Sequence, residues 1–279
     1  MASITTWGDS MTTAQSLRII RRLVVIDLSM ALIYRAEFVM YMLSTVLAPT
    51  ISLLIWRAAL ANGAALPVDE EYLTTYFVLL GVVSMLTSSW ISGFLAESIR
   101  LGKISIWIVR PGSTHFNGIA NNLSEKIVKS AALAPLIAIL WWFFRDSIVL
   151  PTEPLRWLLA GIAIVAAAVM VYALDVLIGA LAFWVDDIGG IDWARNLITI
   201  VLSGQLVPLV LMPAWARGMM DVQPFRFTLS FPLELIVGDL SPADLALGMT
   251  LQLLYPVLTV LAAYRLWRRG MRAYTAVGA

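Results

Sequence analysis

Apolar stretches close to twenty residues long follow one another along this chain, near 38–60, 73–95, 127–144, 155–184, 190–211 and 242–266. A helix of that length rises about 30 Å, the thickness of a bilayer's hydrocarbon core, so stretches of this kind read as membrane spans. The expected fold is an all-α integral membrane protein with six transmembrane helices. Composition agrees, with 60% of the 279 residues hydrophobic and 13% charged, where soluble domains carry roughly a quarter charged. No interval between the spans is long enough to build a separate soluble core, so residues 1–279 are expected to form one transmembrane domain.

Net charge is +1, which points to no nucleic-acid partner, and the placement of the charges says more than their sum. With the N-terminus inside, fourteen Lys and Arg fall on inner segments: Arg18, Arg21, Arg22 and Arg35; Arg100, Lys103, Arg110, Lys126 and Lys129; Arg195; and Arg265, Arg268, Arg269 and Arg272. The five others, Arg57, Arg145, Arg156, Arg217 and Arg226, fall outside. The asymmetry predicts a multi-pass protein of the cytoplasmic (inner) membrane with both termini in the cytoplasm. The opening residues MASITTWGDS lack the basic and apolar regions of a cleaved signal, so the N-terminus is expected to be retained.

Several chemistries are excluded. The absence of cysteine removes disulfides, thiolate metal sites and cysteine nucleophiles, and a single histidine removes a multi-histidine metal cluster. No metal site and no catalytic constellation is expected. The phosphate-cradling pattern G-x-x-x-x-G-K-[ST] is missing, so the chain should not hydrolyse a nucleotide by itself. Leu202-Ser203-Gly204-Gln205 matches the opening of a transporter-ATPase signature but lies inside an apolar span and lacks the second glycine; it reads as coincidence. Asn122-Leu123-Ser124 fits a glycosylation sequon on the wrong side of the membrane, and His115 reads as a plain loop histidine.

Three segments lie outside the spans. Residues 16–37 set Arg18, Arg21 and Arg22 on one helical face within an apolar series, which reads as an amphipathic helix on the inner leaflet or as an extension of the first span. Residues 97–118 interleave basic groups with Ile, Trp and Val before a stop at Pro111-Gly112, and would either snorkel among headgroups or dock on a protein. Residues 212–241 are semi-apolar and punctuated by prolines, too short between them to cross, and suggest external re-entrant or surface-lying helices.

Within the spans, Asp175 is the one carboxylate expected at membrane depth, placed near the bilayer middle with no basic mate evident. It would either touch substrate or a proton, or hydrogen-bond Tyr172 or a neighbouring span. Ser84, Ser88 and Ser92 recur every four residues, and Asn196, Thr199 and Ser203 every three and four; each set is a small polar stripe on one helix face. Such stripes serve close helix packing in lipid or line a pathway.

The layout and several local strings together resemble the ABC-2 type permeases, the membrane subunits of type V ABC exporters, in the subgroup of about 260–280 residues. The strings are GKISIWIVRP at 102–111, Ala182-Phe183-Trp184, Leu202-Ser203-Gly204, Leu206-Val207-Pro208-Leu209, Met212-Pro213, Pro224-Phe225, Pro232 and Gly238. The resemblance implies a permease subunit of an ATP-driven exporter, paired with a second permease subunit as homodimer or heterodimer. A dimer of separate ABC ATPase subunits, which hold ATP and Mg, would bind below it, while this chain holds no cofactor. The loop at 97–118 would carry the coupling residues Glu97, Arg100, Gly102, Lys103, Trp107, Arg110 and Pro111, and spans one, two and five would meet centrally. There the two stripes would form the translocation path for an amphiphilic or hydrophobic substrate in contact with membrane lipids. A competing expectation is a non-transporting membrane anchor or assembly subunit that recruits a cytoplasmic partner; a secondary transporter is a third.

Overall fold

The computed structural model describes residues 35–105 and 114–274, together with Arg18, Arg21, Arg22, Val25, Ile26 and Ser29. The helix expected at 16–37 lies largely outside the described residues, and so do Trp107, Arg110 and Pro111 of the expected coupling loop. The six described positions between Arg18 and Ser29 are helical and exposed.

No strand occurs among the described residues. The helices are α1 (Arg35–Ala61), α2 (Glu70–Thr87), α3 (Ile91–Arg100), α4 (Thr114–Phe144), α5 (Pro154–Gly179), α6 (Gly189–Leu202), α7 (Ala214–Val222), α8 (Ser230–Val237) and α9 (Pro242–Ala273). Three helical runs are long and apolar enough to cross a membrane: Glu70–Arg100, Pro154–Phe183 and Pro242–Ala273. A fourth results if Gly118–Ala131 and Leu133–Ser147, the two arms of α4 with the single helical turn that follows it, count as one span bent by 44°. Pro135 accounts for that bend, because its ring clashes with the carbonyl four residues back and removes one helical hydrogen bond.

Each long run starts at a marked point. Asp69 accepts from the Tyr72 amide at 2.8 Å and Ser241 from the Asp244 amide at 3.2 Å, each satisfying an open helix donor, while Pro154 and Pro242 occupy first-turn positions that need no amide hydrogen. The starting ends lie together: Arg156 Nη1 donates to the Gly238 carbonyl at 3.0 Å and the Val149 amide to Thr75 Oγ1 at 3.0 Å. The far ends also meet, through Leu95, Ile99, Ile104, Val176, Ala180, Ala263 and Trp267 and a 2.9 Å hydrogen bond between Ser105 and Tyr274. The three runs are therefore parallel. Small residues on α5, Ala160, Ala163 and Ala167, are buried where α9 and α8 approach, which is how helices gain contact in lipid without a hydrophobic driving force.

Two expected spans differ in the structure. The stretch at 73–95 is not one helix but breaks between Thr87 and Ile91. The stretch at 190–211 is helical only over the fourteen residues of α6, a rise of about 21 Å that falls short of a hydrocarbon core. At its end Gly204 takes φ +84°, a conformation that side-chain-bearing residues seldom adopt, and Pro208 and Pro213 keep the chain from resuming a long helix. The chain then folds back along α9. Gln252 donates to the Phe227 carbonyl at 3.1 Å, and Tyr255 donates to that of Val222, ten and thirteen residues into α9 from Pro242. The segment therefore reaches roughly 15–20 Å down that helix.

Candidate functional site

The break in the run Glu70–Arg100 exposes the backbone groups that a continuous helix would pair, an arrangement tolerated at membrane depth only where the protein satisfies them. Here two other helices do so with charged side chains. On the α2 side, Lys126 Nζ of α4 donates to the Ser88 carbonyl at 2.6 Å and to Asn122 Oδ1 at 2.6 Å, and Asn122 Nδ2 approaches the same carbonyl at 3.3 Å. On the α3 side, Asp175 Oδ2 of α5 accepts from the Ile91 amide at 3.0 Å. A cation thus faces the negative end of one helix and a carboxylate the positive end of the next, the favourable sense at both dipoles.

Asp175 also has the basic partner that the sequence did not reveal. Arg195 Nη2 of α6 lies 2.8 Å from Asp175 Oδ1 and 2.8 Å from Asp192 Oδ1, while Ser92 Oγ of α3 donates to Asp192 Oδ1 at 3.1 Å. The Asp175 side chain is fully buried and that of Arg195 is 14% exposed. Tyr172, the other expected partner, makes no such bond: its hydroxyl is buried with no hydrogen-bond partner. The depth differs from expectation as well. Asp175 lies twenty-one residues along α5 from Pro154, a rise of about 32 Å, so the carboxylate stands toward the far end of the run Pro154–Phe183, level with the break, and not at the middle of that run.

Beside this joint opens a cavity of about 860 Å³ between α1, α2, α3 and α6. Ser84, Ser88 and Ser92 line one wall and Asn196 and Thr199 another, so both expected stripes border the same space. Ser203 does not line it; it is fully buried at the end of α6. Because of the break, Ser84 and Ser88 belong to α2 and its cap while Ser92 belongs to α3, so the serines do not form one continuous helical stripe. Ser84, Ser88 and Thr199 donate to carbonyls of their own helical turns, at 3.1, 3.0 and 2.8 Å, which satisfies their hydroxyls without a bound molecule.

Glu97 and Arg100, two of the expected coupling residues, border the cavity at the α3 end. Lys103 pairs with Glu97 at 2.8 Å. Gly102 takes φ +70° just past the end of α3 and its amide donates to the Ile99 carbonyl at 3.1 Å, a turn that folds the chain back so that Ile104 is buried. Four residues of the joint, Asn122, Lys126, Asp192 and Arg195, were not singled out from sequence as site residues. Their one local signal was the helical spacing Asn122/Lys126 and Asp192/Arg195, which places each pair on a shared face.

No group of three or more metal-binding side chains occurs among the described residues. In comparison with known proteins, residues 70–278, about three quarters of the chain, match the family described as ABC-2 family transporter protein. No curated protein matches the chain.

Proposed function

The chain belongs to the ABC-2 family of transporter membrane proteins, and from that premise we propose that it is the permease subunit of an ATP-driven exporter for an amphiphilic or hydrophobic substrate. A separate pair of ABC ATPase subunits binds ATP and Mg and supplies the energy. A second permease subunit, identical or related, completes the route. The observation that supports this reading is the 860 Å³ cavity between α1, α2, α3 and α6, whose lining combines the hydroxyl and amide groups of Ser84, Ser88, Thr199 and Asn196 with apolar side chains such as Phe94 and Ile200, and reaches Glu97 and Arg100. A family membership alone would fit an anchor equally well; a space between helices lined by both hydroxyl and apolar groups suits an amphiphile's route, and an anchor needs none.

In this reading the chain crosses the membrane six times, with α1 as the first crossing and α6 together with the segment folded back at 203–237 as the fifth. α1 has twenty-seven residues, about 40 Å, which is ample length. Both termini and residues 97–118 face the cytoplasm, following the basic residues. Glu97, Arg100, Gly102, Lys103, Trp107, Arg110 and Pro111 receive the motion of the ATPases, whose affinity must differ between the two permease conformations for any shift to occur.

The test is reconstitution. The tagged chain is purified from its native membrane, ATPase activity in the preparation is measured, and the complex is placed in vesicles with a fluorescent amphiphile. ATP-dependent movement of the amphiphile together with co-purifying ATP hydrolysis supports the reading. A stable preparation that contains no ATP-hydrolysing subunit and moves no amphiphile would turn the assignment toward the anchor.

A further inference from the structure

We propose that Arg195 is the latch that fixes α6, one wall of the cavity, to the break at Ser88–Ile91, so that displacement of α3 is passed to that wall. The proposal rests on the permease reading for its role in transport, and on geometry alone for the latch itself.

α6 is held chiefly by polar links. None of its residues is buried. Its inward face carries Asp192, Arg195, Thr199 and Leu202, and its side-chain links to other helices gather at one end, Asp192 to Ser92 and Arg195 to Asp175. At the other end Gln223 Nε2 donates to the Leu202 carbonyl at 2.6 Å. Within this chain α6 is therefore joined to its neighbours chiefly at its two ends, and a displacement of one end would be passed along the helix.

The inner pin is also tied to α3. One carboxylate serves both helices: Asp175 Oδ2 takes the first amide of α3, and Asp175 Oδ1 takes the guanidinium of α6. Ser92, on the first turn of α3, takes Asp192 of α6. On the opposite side of the break α2 is held separately, by Lys126 and Asn122 of α4. The side chains that satisfy the two ends of the break thus come from different helices, α4 for α2 and α5 for α3, and it is α3, continuous with the segment at 101–105, that is bonded to α6. Arg195 Nε is buried without a hydrogen-bond partner, which leaves a donor for a different acceptor in a second arrangement.

Because the chain contains no cysteine, the latch can be read directly. The side-chain oxygens of Ser92 and Asp192 are 3.1 Å apart, and a cysteine sulfur sits one bond short of the Asp192 oxygen, so the Ser92→Cys, Asp192→Cys chain brings two thiols within reach of a short bis-thiol reagent. With Arg195 present, cross-linking in membranes is expected to be fast; Arg195→Gln should slow it at least tenfold and Arg195→Lys should restore most of the rate. If Arg195→Gln fails to insert because Asp175 is left alone, the Asp175→Asn, Arg195→Gln chain removes both charges and takes its place. An unchanged cross-linking rate in the neutralised chain overturns the latch. In the reconstituted complex, closing the cross-link should lower export at least tenfold and reduction should restore it; full export through the cross-linked chain also overturns it. Loss of ATP-driven export in the unmodified complex counts against the permease reading alone, since the cross-linking comparison needs no ATPase and still decides the latch.

Discussion

Arg195 and Asp175 sit on different helices and form an ion pair at 2.8 Å in which the carboxylate has no exposure to its surroundings. The pair closes a circuit, since the same carboxylate caps α3 and the same guanidinium reaches Asp192. A buried pair of this kind adds little over an apolar substitute of equal shape, yet removing one member strands the other charge at a cost of about 3–5 kcal/mol. Arg195→Leu, which leaves the buried Asp175 carboxylate without a cation, is therefore expected to lower the thermal unfolding midpoint of the detergent-solubilised chain severely, and Asp175→Leu to lower it less, because Arg195 keeps Asp192 at 2.8 Å. The Asp175→Asn, Arg195→Gln double variant should unfold at a higher temperature than either single charge deletion. Additive losses in that cycle would show that the two side chains do not act as a unit.

Lys126 answers the other side of the break. Lys126→Met leaves the Ser88 carbonyl with only the 3.3 Å approach of Asn122, so a partly buried acceptor loses its strong donor. The expected cost is about 1–3 kcal/mol, read as a lower unfolding midpoint, with Lys126→Arg recovering part of it because a cation still faces the end of α2. An unfolding midpoint equal to that of the unsubstituted chain would remove Lys126 from the joint.

The all-helical fold was legible because hydrophobic periodicity and run length are local properties, and the long crossings within 155–184 and 242–266 could be read with no knowledge of their neighbours. The break at Ser88–Ile91 was not, because nothing in Ser88-Ser89-Trp90 forbids a helix; what stabilises the break is Lys126 and Asp175, thirty-eight and eighty-four residues from their backbone partners. The same distance hid the Arg195–Asp175 pair. Arg195 was counted with the expected inner basic residues, a count that bears on sidedness and says nothing of its partner. Ser84, Ser88, Ser92, Asn196 and Thr199 were singled out by helical spacing and all border the cavity, but Ser92 does so from a separate helix beyond the break and not from a shared face; Ser203 was not separated from them because spacing cannot tell that α6 ends at Leu202 and the chain turns away.

Topology can be checked with single cysteines. The proposed arrangement puts Ser113→Cys inside and Leu66→Cys outside, so in intact cells a membrane-impermeant thiol reagent should label the second and spare the first. The reverse pattern would invert every inside and outside assignment made from the basic residues.

Coupling is expected to pass through the charged end of α3. Arg100 borders the cavity on α3, and Arg110 lies further along the same basic segment. Reversing both, Arg100→Glu with Arg110→Glu, should abolish transport-coupled ATP hydrolysis in the reconstituted complex while leaving the chain inserted and folded. Stimulated hydrolysis at the level of the unsubstituted complex would move the ATPase contact elsewhere.

The route is tested by filling it. Ser88 and Thr199 lie on two walls of one cavity, and their hydroxyls are satisfied by their own helical turns, so neither is needed to complete a hydrogen-bond network across the space. Replacing either by Trp adds bulk where small side chains leave room. If the cavity is the route, Ser88→Trp and Thr199→Trp should each reduce export at least tenfold in a complex that still assembles, and Val165→Trp, at an exposed position on α5, should leave export unchanged. If the small residues instead serve close helix packing, the same two substitutions should prevent the subunits from assembling. Measuring assembly by size-exclusion chromatography and export on the same preparation separates these outcomes, and normal export through an assembled Ser88→Trp, Thr199→Trp complex would place the route outside this cavity.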